Sequence, residues 1–265
     1  MSISCETSLG LLPRKPVRLL GLEIDLLAIG ELLDVVGNAI STGRPLMVAN
    51  HNLHSLYIAH HDDSMRRFYS RAGVAHVDGM GIVLLARLLG HTRIARRHRS
   101  TYIDIACPLF ARAVREGWRV FYIGSRPGVE EAAARVFRTR YPGLQLRTHH
   151  GYFETTSTVN EELLRHITDF DPDLLLIGMG MPRQERWLLE NFHRSKARAS
   201  MCCGAMMDYY AGAISTPPRW LGRIGLEWAA RLVREPQRLW RRYLIEPWFI
   251  LKLLVRAAVA GERGS

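Results

Sequence analysis

The segment DLLLIGMGMPRQERW, residues 173–187, decides the fold class of this 265-residue chain. Four aliphatic residues run into a glycine-rich turn, and a proline then precedes a polar stretch of helical character. A short apolar strand that leads directly into a helix is typical of a parallel sheet covered on both faces. The segment RVFYIGSRPG, residues 119–128, repeats the pattern and continues into the helical sequence VEEAAARVFRTRY.

The same alternation extends over most of the chain. Further strands are predicted within residues 18–27, 45–52, 73–81, 144–153 and 199–205, and helices within residues 29–41, 62–71, 82–90 and 160–170. This order predicts an α/β fold, a Rossmann-like parallel sheet with helices on both faces. We expect a loose leader over residues 1–16, an α/β domain over residues 17–216, and only helices in residues 217–265.

The C-terminal part, residues 219–256, is basic and rich in tryptophan. It carries nine arginines and lysines against three glutamates, and four of the six tryptophans of the chain. Arginine, tryptophan and leucine at helical spacing suit the boundary between lipid headgroups and acyl chains. We therefore expect residues 217–265 to form a basic helical appendage that docks on an anionic membrane surface.

Composition narrows the class of protein further. The formal net charge of +11 indicates an anionic partner, which can be a phosphate ligand, a lipid headgroup or a nucleic acid. No apolar run reaches the ~20 residues of a spanning helix, and the N-terminal residues lack the pattern of a signal peptide. The four cysteines have no metal-site spacing, and the adjacent pair Cys202-Cys203 is typical of a buried strand in a reducing compartment.

Polar and glycine residues follow the predicted strands. In doubly wound sheets ligands bind where the strands end, so Gly124, Gly178 and Gly180 are candidates for backbone contacts to phosphate. Asp78 follows a strand and can act as a general base. Asn50 and Asn52 end another strand on one face. The alternatives are ordinary strand-to-helix turns and, for Asp78, a plain turn residue.

Two further segments are candidates for ligand contacts. Gln184 can donate to and accept from a uracil or a sugar hydroxyl, whereas its neighbours Arg183 and Glu185 are equally compatible with solvated charges at a helix start. The basic run of residues 93–100 is compatible with binding diphosphate or nucleic acid, or with a solvated surface. His51, His54 and His76 match no zinc signature, so no metal and no cofactor is predicted.

Read in order, these pieces resemble the bacterial glycosyltransferases of the WecG/TagA/CpsF type. The carrying segments span residues 46–243: NHNLHSLYIAHHD, DGMGIVLLARLLG, GSRPG, YPGL, HGYF, DLLLIGMGMPRQERW, DYYAG and GLEWAARLVREPQRLWRRY. The form NHNLHSLY further resembles the xanthan-type branch, which adds glucose to a lipid-linked glucose in exopolysaccharide synthesis. The related alternative is transfer of N-acetylmannosamine or a similar hexosamine or uronate.

The resemblance implies a metal-independent, inverting transfer from a UDP-sugar to a polyprenyl-diphosphate-linked sugar, on the cytoplasmic face of the inner membrane. It implies Asp78 as the base and a diphosphate contact at Arg96. The other implied substrate contacts are Asn50, Asn52, Gly124, Gly178, Gly180, Gln184 and Asp208, and the implied membrane or diphosphate contacts of the appendage are Arg231, Arg234, Arg238, Arg241 and Arg242. The expected partners include no nucleic acid, and a homo-oligomer is left open.

Three departures from the family pattern bear on the donor sugar. Thr216-Pro217-Pro218 stands where Arg-Ala-Pro is usual, Arg99-Ser100-Thr101-Tyr102 stands where Thr-Gly-Thr-Asp is usual, and Gly204-Ala205 replaces a double glycine. Asn50 stands where threonine is usual. A nucleic-acid-binding protein and a non-catalytic membrane scaffold remain the rival interpretations of the basic tail.

Overall fold

A computed structural model describes residues 16–215, 229, 232–233 and 236–259. Six parallel strands form the central sheet, in the order β4-β3-β8-β7-β5-β6, and a small antiparallel hairpin of β1 and β2 lies outside it. The strands are β1 Val17–Leu19, β2 Leu22–Ile24, β3 Leu46–His51, β4 Val74–Val77, β5 Arg119–Gly124, β6 Gln145–His149, β7 Leu174–Gly178 and β8 Ala199–Cys202. The predicted α/β class is confirmed.

Helices follow the strands as the sequence alternation predicts. They are α1 Ile29–Thr42, α2 Leu53–His61, α3 Asp63–Arg71, α4 Met80–Leu88, α5 Tyr102–Glu116, α6 Val129–Arg140, α7 Thr158–Phe170, α8 Arg183–Asn191 and α9 Met206–Tyr210, with a 3₁₀ turn at Arg96–His98. The helices α1, α5, α6 and α9 cover one face of the sheet, and α3, α7 and α8 cover the other. Both faces of the central strands are therefore dry, which explains their continuous apolar sequences.

Three helices have no counterpart among the predicted elements: the short α9, and the longer α5 and α2. The helix α5 contains Pro108, and an interior proline argues against a helix in any sequence-based assignment. The helix α2 is dominated by aromatic and histidine side chains without a clear apolar face. In both cases tertiary packing overrides the weak local signal.

The described part of the C-terminal region is helical from Pro236 to Val259. A short helix Pro236–Trp240 passes through a π-helical turn, Arg241–Ile245, into the C-terminal helix Glu246–Val259. Pro236 begins a helix, and Pro247 lies in the first turn of the next one. The wider π turn directly precedes this part of the chain, because the nitrogen of Pro247 carries no hydrogen and cannot donate the regular helical hydrogen bond. The two prolines therefore mark a helix start and a π turn.

The C-terminal helix packs against the outer edge of the body. Its residue Ile250 is buried in a third apolar cluster, together with side chains of the hairpin, of α2 and of α4. The ring of Phe249 contacts Tyr57 and His61 of α2. Within the described residues, no helix combines the length and the hydropathy needed to cross a bilayer.

Candidate active site

Three polar side chains meet where β3 and β4 end. The side-chain amides of Asn50 and Asn52 each donate to the same carboxylate oxygen of Asp78, Oδ2, with N–O distances of 3.1 Å. Asn50 is buried, whereas Asn52 and Asp78 are partly exposed. The two donors fix the carboxylate plane, and neither of them contacts the other oxygen, Oδ1. Asn50 and Asn52, which the sequence places on one face of a strand end, thus both reach Asp78, and their contact with substrate stays a prediction.

The local backbone explains why these groups converge. Asn50 pairs with His76 in the parallel ladder between β3 and β4. Asn52 caps α2, because its Oδ1 accepts from the backbone N–H of Ser55 at 2.9 Å. Its amide nitrogen is then directed toward Asp78. The backbone N–H of Asp78 donates to the carbonyl of His51 at 2.8 Å, which holds the carboxylate against the end of β3.

A buried polar layer supports this end of the sheet. Tyr69 stacks on His51 with ring centroids 4.1 Å apart, and its hydroxyl donates to the carbonyl of Asn50 at 3.0 Å. Ser100 donates to the carbonyl of Val77 and accepts from His76 Nδ1 at 2.8 Å. Desolvation lowers the pKa of His51 to about 3 and that of His76 to about 4. Both rings are therefore neutral at pH 7, and Tyr69 and Ser100 are supporting residues that sequence reasoning missed.

On the other half of the same edge, one side chain joins two strand ends. The buried Gln184 accepts through Oε1 from the backbone N–H of Gly180 at 3.1 Å and from that of Gly204 at 3.2 Å. Its amide donates to Glu185 at 2.7 Å. Gln184 therefore ties the loop after β7 to the loop after β8. Its predicted contact with a sugar nucleotide stays a prediction.

Glu185 differs from a solvated helix-start charge. The side chain is fully buried, so that alternative is wrong for Glu185. Desolvation raises the pKa of its carboxyl to about 7, although the bond from Gln184 acts in the opposite direction. Arg183 is also engaged, because its guanidinium donates to the carbonyl of Phe153. The first turn of α8 thus holds the loops at the strand ends in place through buried hydrogen bonds.

The glycines at the ends of β5 and β7 are required by packing. A Cβ on Gly124 or on Gly178 would come closer than 3.0 Å to the hydroxyl of Tyr122 and to backbone of the neighbouring strand end. That hydroxyl donates to Ser125 Oγ at 2.8 Å, because Ser125 itself donates to the carboxylate of Asp208 at 3.0 Å. Close approach therefore accounts for the two glycines without a ligand, and it leaves their predicted phosphate contact open.

The basic residues predicted to touch substrate or membrane lie in two places. Arg96 is exposed and begins the 3₁₀ turn after α4, and that segment returns to the sheet where Ser100 N–H bonds to the carbonyl of Val77 at 2.9 Å. In the C-terminal region, Arg241 lies over the ring of Trp240 and Arg242 lies over that of Tyr243. Arg231 and Arg234 lie outside the described residues, and Arg238 lies in the helix Pro236–Trp240.

The C-terminal helix is tied to the helix that Asn52 caps. Glu246, which is buried, places its two carboxylate oxygens 2.8 and 2.9 Å from Nδ1 of His54. His54 lies in the first turn of α2, two residues after Asn52. The C-terminal helix therefore contacts the element that orients one of the two amide donors to Asp78. A contact across 192 positions of sequence has no local signal that could have revealed it.

The described carboxylates, histidines and cysteines do not form a metal centre. Within the described residues, no three His, Cys, Asp or Glu side chains are grouped to hold an ion. Two D-x-D triplets share Asp171, in residues 169–173, but they precede β7 and lie at the opposite edge of the sheet. There Asp173 accepts from the backbone N–H of Arg119 at 2.8 Å and from the guanidinium of Arg198 at 2.9 Å. Asp171 lies 3.6 Å from the guanidinium of Arg119 and 3.7 Å from that of Arg198, so Asp171 and Asp173 have structural partners at this edge.

Comparisons with known proteins identify the family of the chain. Residues 17–263 match the model of the glycosyl transferase WecG/TagA/CpsF family. The chain belongs to this family. It is 27% identical, over 214 residues, to an N-acetylglucosaminyldiphosphoundecaprenol N-acetyl-beta-D-mannosaminyltransferase of Staphylococcus aureus strain MRSA252, a match that covers 81% of this chain and 78% of the relative. The proteins of the same description from strains MW2 and NCTC 8325 match over the same shares at the same identity.

The membership confirms the broader part of the sequence interpretation. The predicted resemblance to this glycosyltransferase family is correct, and the chain is a glycosyl transferase by family. The xanthan-type branch has no support among these relatives, which instead carry names that match the alternative of N-acetylmannosamine transfer.

Proposed function

We propose that this protein is an inverting glycosyltransferase that moves a sugar from a UDP-sugar to a polyprenyl-diphosphate-linked sugar. The observation that carries the proposal is the carboxylate of Asp78, held by two amides at the carboxyl edge of the sheet beside the glycine-rich strand ends. A partly exposed carboxylate with one oxygen occupied by fixed donors is built to accept a proton at the other.

The chemical step follows from this placement. Asp78 takes the proton of the acceptor hydroxyl while that oxygen attacks the anomeric carbon of the donor. The bond from the anomeric carbon to UDP breaks in the same displacement, so the configuration inverts and UDP leaves with the electron pair. One base is sufficient, and the step needs no covalent sugar–enzyme intermediate. The name of the relatives specifies a β-linked product, the outcome of inversion from an α-linked donor.

The charge that develops on the leaving diphosphate requires stabilisation. Backbone N–H groups at the strand-end turns and arginines, Arg96 among them, supply it in this proposal. The loops that Gln184 joins would then contact the donor, with Asp208 and the end of β5 nearby. Because the D-x-D carboxylates occupy the other edge, the proposed transfer proceeds without a metal.

The proposed donor is UDP-N-acetylmannosamine or a closely related acetamido sugar, and the proposed acceptor sugar is N-acetylglucosamine. This choice follows the description shared by the Staphylococcus aureus relatives. Glucose is the second candidate, favoured by the segment NHNLHSLY and by Asn50 at the position where threonine is usual. Both candidates use the same base and the same acceptor class.

The C-terminal helix would hold the protein peripherally on the anionic cytoplasmic leaflet. Its inner side packs on the body through Ile250, while its outer side exposes Trp248, Leu251 and Val255, with Lys252 and Arg256 beside them. An apolar stripe next to cations is typical of helices that lie in the lipid interface. The arginines at positions 231, 234, 238, 241 and 242 would add electrostatic attraction of roughly 1 kcal/mol each near the surface.

A panel of donors tests the proposal directly. Purified protein is incubated with UDP-N-acetylmannosamine, UDP-glucose or UDP-N-acetylglucosamine and two acceptors, lipid-diphosphate-linked N-acetylglucosamine and lipid-diphosphate-linked glucose. We expect transfer of N-acetylmannosamine to N-acetylglucosamine. The one-bond C1–H1 coupling of the transferred sugar in NMR should show a β linkage. Transfer of glucose to glucose would select the second candidate, and an α linkage would refute the single displacement. Absence of transfer from every donor would refute the proposed function.

A further inference from the structure

The helix α4 leaves an apolar face uncovered immediately after the candidate base. Its inner residues Ile82, Val83, Leu85 and Ala86 are buried in the third apolar cluster. On the outer side, Leu84 is 57% exposed and Leu88 is 74% exposed. A surface helix of a water-soluble body ordinarily turns polar residues outward, whereas α4 has leucines on both sides. The two leucines are four positions apart and therefore lie on one stripe of the helix.

The segment around these leucines is basic and carries no acid. Residues 79–103 contain five arginines and not one aspartate or glutamate. Arg87, Arg93 and Arg97 are exposed, and Arg87 Nε donates to the carbonyl of Ile94 at 3.4 Å, which ties α4 to the loop that follows it. Within this segment the apolar stripe is accompanied by cations alone, while Asp104 of α5 pairs with Arg99 at 2.8 Å and Arg87, Arg93 and Arg97 face the solvent. Leucines beside exposed arginines are complementary to an anionic lipid surface.

The same cluster joins α4 to the C-terminal helix. Ile250, Leu253 and Leu254 of that helix pack against the cluster that the inner side of α4 completes. Both helices thus cover one apolar cluster with their inner sides and expose apolar residues next to cations on their outer sides. Asp78 and the N-cap Gly79 directly precede α4, so a lipid contact through α4 would place the base close to the leaflet.

We propose that the outer face of α4, with the exposed arginines Arg87, Arg93 and Arg97, is a second lipid-docking surface for an anionic leaflet. It acts beside the C-terminal helix and is distinct from it. Two contact elements on either side of one cluster fix the orientation of a peripheral protein, whereas a single helix leaves it free to rotate. This inference rests on the membrane-facing part of the proposed function and names the residues that set the orientation at the membrane.

The test is co-sedimentation with vesicles of phosphatidylglycerol and phosphatidylethanolamine, using the full chain. The variant L84Q/L88Q removes two lipid-facing side chains while α4 keeps its inner side. Its matched control is V136Q/V159Q, because Val136 and Val159 are 44% and 42% exposed on α6 and α7. We expect L84Q/L88Q to bind vesicles roughly tenfold or more weakly, since membrane affinity scales with buried apolar area. The control should bind as the unchanged protein does.

Sugar transfer to two acceptors separates this inference from the proposed function. With a short, water-soluble acceptor diphosphate, L84Q/L88Q should match the unchanged protein, whereas with a vesicle-bound acceptor it should be slower. Equal vesicle binding by L84Q/L88Q and the unchanged protein would overturn the docking surface and leave the enzyme assignment intact. A difference between L84Q/L88Q and the unchanged protein in sedimentation velocity without lipid would also overturn the docking surface, because it would identify this face of α4 as a contact between copies of the chain. Failure of the unchanged protein to use either acceptor would refute the function, while the vesicle result would still decide the surface.

Discussion

The two halves of the carboxyl edge of the sheet are built from different chemistry. At the ends of β3 and β4, side chains converge: two amides hold Asp78, and buried aromatic and histidine rings lie beneath them. At the ends of β5, β7 and β8, glycines take the place of larger residues and the backbone segments lie close together. Gln184 can therefore accept hydrogen bonds from two loops at once. The first half is suited to proton transfer, and the second presents backbone to a ligand. A transferase requires both functions side by side.

The largest expected effect is on turnover, at Asp78. Replacement by asparagine keeps the size and the acceptor oxygen that Asn50 and Asn52 contact, but the amide cannot take a proton. We expect kcat to fall by ~10²–10⁴-fold, with binding of UDP unchanged because the glycine half is untouched. Steady-state kinetics and a UDP thermal-shift assay measure the two quantities.

The matched control for Asp78→Asn is Asp169→Asn, an exposed aspartate at the opposite edge of the sheet. It should leave kcat unchanged. If Asp78→Asn kept a normal kcat, Asp78 would not be the base, and the ends of β3 and β4 would have no role in proton transfer.

The next effect is on stability, at Gly178. A methyl group there would overlap the hydroxyl of Tyr122 and the carbonyl of Gly204, both on neighbouring strand ends. Overpacking of this kind commonly costs about 1–3 kcal/mol, so Gly178→Ala should lower the free energy of unfolding by that amount or more in urea titrations.

Gly30→Ala is the control for Gly178→Ala. Gly30 lies in α1 at an exposed position with no atom near its absent Cβ. Alanine there should be neutral or slightly stabilising. Unchanged stability of Gly178→Ala together with weaker UDP binding would instead support a direct phosphate contact at this glycine.

A third effect concerns pH and distinguishes the halves by sign. Burial raises the pKa of Glu185 to about 7, above its ordinary value of 4.5. Between pH 4.5 and about 7, the folded state therefore binds more protons than the unfolded state. The free energy of unfolding falls over this range, because the unfolded chain releases this proton above pH 4.5 whereas the buried carboxyl loses it only as the pH rises through about 7. Glu185→Gln should abolish this fall, which amounts to roughly 3 kcal/mol at most above pH 8.

The histidines of the first half act in the opposite direction. The pKa values of His51 and His76 are lowered to about 3 and 4, so they cost stability as the pH falls below about 6.5. Unfolding titrations of the unchanged protein and of Glu185→Gln between pH 5 and pH 8.5 share this histidine contribution, and their difference isolates Glu185. Parallel curves would show that Glu185 keeps its charge in the folded state.

The smallest expected effect is that of a chelator. If N–H groups of the glycine half and arginines stabilise the leaving diphosphate, EDTA should leave the rate unchanged. Loss of activity in EDTA and its recovery with Mn²⁺ or Mg²⁺ would mean that the second half binds its ligand through an ion.

The sequence alone determined the layers of the body. Continuous apolar strands that alternate with helices predict the parallel sheet, because only a strand covered on both faces needs to be apolar throughout. The position of Asp78 after a strand, and of Asn50 and Asn52 on one face, also followed from the two-residue period of a strand. These features depend on local geometry, which neighbouring residues specify.

Only the tertiary structure decided what the strand ends contact. The bridging of two loops by Gln184, the burial of Glu185, the hydroxyl of Tyr122 between two glycines, and the pairing of Glu246 with His54 all join residues whose proximity depends on strand order. The same holds for α4, which the sequence predicts as a helix within residues 82–90 but which the fold covers on one side alone. Hydrophobic periodicity shows which residues avoid water, whereas the identity of what covers them is set by how distant elements pack.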